Sequence, residues 1–120
     1  MLRGVIHFSV FFSRGNPTAL VAEGHAGFGE AGSDIVCAAV STLLQSLVVG
    51  AEDVLALRDV SVTSDGEHGF FSISWPEDLI RGTPCWGVLI RTALESLKII
   101  ESQYGDFFRI SEVHESHESI

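Results

Sequence analysis

The stretch Gly24-His25-Ala26-Gly27-Phe28-Gly29-Glu30-Ala31-Gly32-Ser33-Asp34-Ile35-Val36-Cys37-Ala38-Ala39 decides how the rest of the chain is read. A histidine closes a strand-like run, a glycine-rich loop follows, and a cysteine opens a hydrophobic helix. Asp34 stands directly before the apolar pair Ile35-Val36, where an aspartate side chain accepts a free first-turn N–H. The spacing therefore predicts a helix capped by Asp34, with Cys37 at its third position. Unpaired N–H groups and the positive end of the macrodipole favour a negative sulfur there. Gly24, Gly27, Gly29 and Gly32 let the loop fold His25 back onto that helix end.

Magnitudes explain the need for the histidine. A free thiol ionises near ~8.5, so only a few per cent is thiolate at neutral pH. A helix terminus contributes ~2 kcal/mol at best, and ~1.4 kcal/mol moves an ionisation by one pH unit. An imidazolium within ~4–6 Å lowers it by a further ~1–3 units. His25 is the nearest candidate, which makes Cys37 the expected nucleophile and His25 its proton partner.

Working outward, Leu2, Ile6, Phe8, Val10 and Phe12 share one face of a first strand. Ser13 to Pro17 is turn chemistry, and Thr18 to Glu23 reads as the returning strand. The helix after the loop runs to about Val49 and ends near Gly50. It is apolar nearly all round, except that Cys37, Ser41 and Gln45, spaced four apart, form a narrow polar stripe. A sulfur on that stripe is expected to face a cleft. Ala51 to Leu57 reads as a short helix. Val60–Thr63 and Phe71–Trp75 alternate as strands around the turn Asp65–Gly69. Thr83 caps and Pro84 opens a second long helix, whose buried face is Trp86, Ile90, Ala93, Leu97, Ile100 and Tyr104. Phe107–Ile110 is a last short strand, and the polar run from Ser111 is expected to fray. The expected fold is α+β, a mainly antiparallel sheet with two long helices packed on it. Residues 1–112 form a single domain, and 113–120 a polar tail.

At 120 residues, 46% of them hydrophobic and 19% charged, the chain reads as one globular domain. No run reaches the ~18 consecutive apolar residues of a membrane span. A formal charge of −9 argues against direct nucleic-acid binding and suits a basic protein partner. Cys37 and Cys85 do not make a disulfide framework, and the chain reads as cytoplasmic, with both thiols reduced.

The residues Gly24-His25-Ala26-Gly27 and Gly32-x-Asp34-Ile35-Val36-Cys37-Ala38-Ala39-Val40-Ser41 resemble the signature of the ribosomal-processing cysteine proteases. The likeness continues through Leu94-x-x-Leu97-Lys98 and Gln103-Tyr104-x-Asp106, and departs at Gly105, where family members often carry proline. It implies a homodimeric cysteine endopeptidase without cofactor. That enzyme removes a short hydrophobic N-terminal extension from a large-subunit ribosomal protein, the twenty-seventh of the L series. Cys37 and His25 fall on the catalytic positions, and Gly24, Asp34 and Ser41 on other signature positions. A loop of this composition is expected to close over an extended peptide, with Phe28 supplying apolar contact.

Other readings are weaker. A non-enzymatic ribosome-assembly adaptor would bind a partner through the same glycine-rich loop, and a thiol-dependent redox or acyl-transfer enzyme would use the same cysteine. Cys85 also falls in a first helical turn, but it has no neighbouring histidine, and Pro84 and Trp86 are expected to crowd it into a structural role. Gly27–Gly32 formally matches a dinucleotide fingerprint, yet the chain holds only one possible βαβ unit. His114-x-x-His117 with Glu115 and Glu118 lacks thiolate partners, so no metal site is expected.

Overall fold

Ile6, Phe8 and Val10 bury one side of a strand, while His7 and Phe11 on the other side remain exposed. This strand is β1 (Ile6–Ser13). The computed structural model describes residues 5–24 and 33–115. The other elements are β2 (Asn16–Glu23), α1 (Ser33–Val49), β3 (Ser61–Asp65), β4 (Phe70–Ser74), α2 (Leu79–Gly82), α3 (Pro84–Tyr104) and β5 (Phe108–His114). One five-stranded sheet has the order β3-β4-β2-β1-β5. Every pairing is antiparallel except that of β1 with β5. The two long helices share a single core with one sheet face, built on Phe8, Leu20, Ile73, Trp86, Ile90 and Leu97. The fold is α+β, and the sheet is mainly antiparallel.

The β1–β2 turn is tighter than the sequence implied. Arg14 and Gly15, with φ of 53° and 83°, occupy it alone, a two-residue turn whose left-handed residues match strand twist. Asn16 and Pro17 already pair with β1, and Thr18 bulges between the Phe12–Pro17 and Phe11–Ala19 pairs. Trp75 locks that bulge: its backbone N–H donates to the Thr18 carbonyl at 3.0 Å and its indole N–H to the Pro17 carbonyl at 2.9 Å. Trp75 also meets Trp86 edge to face, with ring centroids 5.3 Å apart. Such pairs contribute roughly 0.5–1.5 kcal/mol beyond their burial.

Val36, Val40, Leu44 and Leu47 are the buried stripe of α1, and Ser41, Thr42, Gln45 and Ser46 are exposed. The short helix expected at Ala51–Leu57 is present over Gly50–Val54, shorter and continuous with α1. There α1 widens into one π-helical turn, closed by Leu55 N–H donating to the Gly50 carbonyl at 2.9 Å. Gly50 and Ala51 are buried, and a Cβ on Gly50 would lie 3.0 Å from Leu89 of α3. Close packing on α3 therefore keeps the chain winding past the glycine. The continuous segment Ile35–Val54, with mean hydropathy 1.7, is long and apolar enough by length and composition to cross a membrane. It contains no unbroken apolar run of that length, since Ser41, Thr42, Gln45 and Ser46 interrupt it. Here its apolar stripe belongs to the core shared with the sheet.

Trp86, Ile90, Ala93 and Leu97 of α3 are buried, and Ile100 and Tyr104 are half-buried, as the helical spacing predicted. Thr83 is the N-cap, but its side chain makes no capping hydrogen bond, and the short helix α2 before it was not anticipated. The end of the chain also departs from expectation. Ser111–His114 does not fray but extends β5, paired in parallel with Ser9–Phe12 of β1. An edge strand can expose its side chains and still keep a full backbone ladder on its inner side, so polarity there did not exclude a strand. His114 stacks on Phe12 at 4.6 Å, and Ile110 N–H donates to Glu101 Oε2 at 2.7 Å, which covers part of the free edge.

Candidate active site

The start of α1, the ends of β1 and β2, and the β3–β4 hairpin enclose a cleft of about 320 Å³. Its helical wall is the polar stripe: Cys37, Ser41 and Gln45 all line it. Ser64 and Gly66 of the hairpin also line it, with Phe71 and Ala22 from the sheet. Phe71 and Ala22 alternate onto the same sheet face as Ile73 and Leu20, which explains why they point toward α1. Among the described residues the cleft lining carries no charged side chain, although the chain as a whole has a formal charge of −9. A second cleft, lined by Phe12, Arg91, Leu94, Lys98, Ile110 and Glu112, holds no cysteine, serine or threonine among the described residues.

Cys37 is half-buried and free. α1 begins at Ser33, so Asp34 lies within the first turn and not ahead of it. Cys37 is accordingly the fifth helical residue, and the regular partner of its N–H is the Ser33 carbonyl. Cys85, expected to be crowded and structural, is exposed at the second position of α3. Pro84 and Trp86 do not shield it, because Trp86 turns wholly into the core.

Gly24 lines the same cleft as Cys37. Its φ is 105°, and its N–H donates to the Gly69 carbonyl at 2.8 Å, tying the end of β2 to the hairpin. The hairpin tip is ordered by Asp65, whose carboxylate meets the His68 ring at 2.7 Å and accepts from the His68 N–H at 3.2 Å. The His68 ring, then its N–H, holds the Asp65 carboxyl below the ordinary carboxylate range. This support for the tip is present above the ordinary aspartate range and is lost as pH falls through the lowered value.

The structure thus brings Gly24, Cys37 and Ser41 together. His25, Gly27, Phe28, Gly29 and Gly32 lie outside the described residues. Sequence reasoning placed Gln45 on the stripe with Cys37 but gave it no role, and it missed the hairpin wall at Ser64 and Gly66. The i, i+4, i+8 spacing was the available signal for Gln45. Among the described residues no group of three or more His, Cys, Asp or Glu is placed to hold a metal. The dinucleotide reading fails on topology, since both neighbours of β2 run antiparallel to it.

A family profile described as cysteine protease Prp matches residues 5–109. The chain belongs to the Prp family. A curated Prp relative, the ribosomal processing cysteine protease of Staphylococcus aureus, is 30% identical over 99 residues, covering 81% of this chain and 88% of that protein. The Prp of Bacillus subtilis is 34% identical over 89 residues, covering 73% and 79%. Among solved structures, that of SMU.848 from Streptococcus mutans has a TM-score of 0.80 at 29% identity, covering 92% of this chain and 96% of that one. The S. aureus Prp in complex with a substrate peptide has a TM-score of 0.77 at 28% identity, covering 90% and 99%. Membership in the Prp family makes this chain a cysteine protease.

Proposed function

We propose that this chain removes a short hydrophobic N-terminal extension from a large-subunit ribosomal protein, with Cys37 as nucleophile and His25 as proton carrier. One observation carries the reading. Cys37 lies in the first turns of α1, on a cleft that Gly24, the covalent neighbour of His25, also lines. The relatives support the substrate, being named ribosomal processing proteases. The formal charge of −9 suits a basic ribosomal protein approaching by long-range attraction.

In this mechanism the Cys37 thiolate attacks the scissile carbonyl, and the carbonyl oxygen takes the charge beside the free N–H groups at the start of α1. As the tetrahedral intermediate collapses, the C–N bond breaks and His25 delivers its proton to the departing amine. A water that gives its proton to His25 then attacks the thioester, and the acid product leaves as the thiolate is restored. Ser41, one helical turn from the sulfur, borders the same space.

The test is incubation with a synthetic peptide spanning the extension and the first residues of the mature ribosomal protein. Cleavage at a single bond is expected, and it is lost when Cys37 is alkylated in a Cys85→Ser background. Binding of the peptide without cleavage would favour the adaptor and sink the protease reading.

The active unit is a homodimer in this proposal. Phe11 and Val113 on the sheet face opposite the helices, and Val88 and Ile99 on α3, are two groups of exposed large apolar residues, either of which a second copy can cover. Sedimentation equilibrium is expected to return twice the 13.0 kDa chain mass; a monomer at micromolar concentration contradicts the dimer.

A further inference from the structure

We propose that Gln45 is a substrate-binding residue that grips the main chain of the peptide three to four residues from the scissile bond. This rests on the protease reading above and deepens it. The argument begins with the geometry of α1. Cys37 and Gln45 are separated by eight residues along one helix and line one cleft. At ~1.5 Å per residue the separation along the helix axis is ~12 Å. An extended peptide advances ~3.3–3.4 Å per residue, so ~12 Å corresponds to between three and four residues. The helix thus acts as a ruler laid alongside the peptide, with the attacking sulfur at one end and a primary amide at the other.

The chemistry at the far mark fits a peptide backbone. Gln45 offers one carbonyl acceptor and an amide with two donors, which together match the N–H and C=O that an extended chain presents. Its side chain is uncommitted: it makes no hydrogen bond among the described residues, and neither does Ser41. Hydroxyls facing elsewhere on the helices behave differently. Thr42 donates to the Ala38 carbonyl at 2.8 Å, and Thr92 to the Val88 carbonyl at 2.7 Å. The sheet side of the cleft supplies the apolar complement, with Phe71 and Ala22 each 8% exposed. A lining without charge among the described residues, and a polar amide at a fixed distance, suit an apolar, extended peptide whose backbone is read independently of its side chains.

The test is a peptide length series, trimmed one residue at a time from either end of the synthetic substrate. Cleavage rates are measured on the wild type and on Gln45→Ala, and peptide affinity by fluorescence anisotropy on Cys37→Ala with and without Gln45→Ala. In the wild type, kcat/KM is expected to fall about five- to tenfold when the peptide on one side shortens from four residues to two, through KM with kcat within about twofold. Gln45→Ala should raise KM for the long peptide by the same factor and abolish the length step, while in a Cys85→Ala background alkylation of Cys37 by a small reagent keeps its rate. A step that survives in Gln45→Ala, or efficient cleavage with no step, overturns the assignment. A length step in affinity without any cleavage overturns the protease reading alone. Absence of both binding and cleavage overturns both.

Discussion

Cys37→Ala is expected to leave peptide affinity within about twofold of wild type and to lower kcat on the order of 10⁴-fold or more, the scale seen when a covalent nucleophile is removed from a hydrolase. The substitution is well suited to the question. Cys37 is half-buried at the margin of the core, so a change to alanine removes one sulfur without opening a large cavity. Without the sulfur there is no thioester, and only the residual effect of positioning and backbone N–H groups remains. Cys85→Ala is the matched control. It lies outside the cleft and should cleave at the wild-type rate. The control matters more than the sequence suggested, because Cys85 is the more exposed thiol and will react with labelling reagents for reasons unrelated to catalysis. Thiol counts are therefore informative only in the Cys85→Ala background. A dead Cys85→Ala, or a Cys37→Ala that still turns over, removes the assignment.

What was legible in the chain was local. The alternation of Ile6, Phe8 and Val10 needs only a period of two, and the spacing of Trp86, Ile90, Ala93 and Leu97 only a period near 3.6. The same logic placed Cys37, Ser41 and Gln45 on one stripe, and the stripe does face a cleft. What was hidden depends on contacts far apart in sequence. Nothing in Ser61–Asp65 or Phe70–Ser74 says that β4 will pair with β2, yet that pairing carries Ser64 and Gly66 across to Cys37. Equally, Ser111–His114 is polar enough to read as tail, and only the parallel register against β1 makes it a strand. The helix start was misread by a short distance because a capping residue and a first-turn acid have the same composition signature.

Gly24→Ala is the second large effect, and it tests whether the end of β2 sets the geometry of catalysis. Gly24 has φ of 105°, and a Cβ built there would lie 2.5 Å from the Val5 carbonyl oxygen. That oxygen is backbone and cannot swing away as a side chain would. On the other side, the Gly24 N–H is held by the Gly69 carbonyl at 2.8 Å, so relief of the clash pulls against the hairpin. Left-handed strain and the clash together are expected to lower stability by about 2–3 kcal/mol, a fall of roughly 10 °C in Tm for a domain of this size. Gly15→Ala separates the two contributions. Gly15 also has a positive φ, 83°, but nothing lies within 4 Å of its would-be Cβ. It should lose only about 1 kcal/mol and retain full cleavage. Gly24→Ala, measured at a temperature where it remains folded, should in addition lose on the order of 10²-fold in kcat, because His25 is the next residue and a displacement near 1 Å is that costly to an aligned reaction. If Gly24→Ala matched Gly15→Ala in both Tm and kcat, the junction of β2 with the hairpin would not be what positions the proton carrier against Cys37.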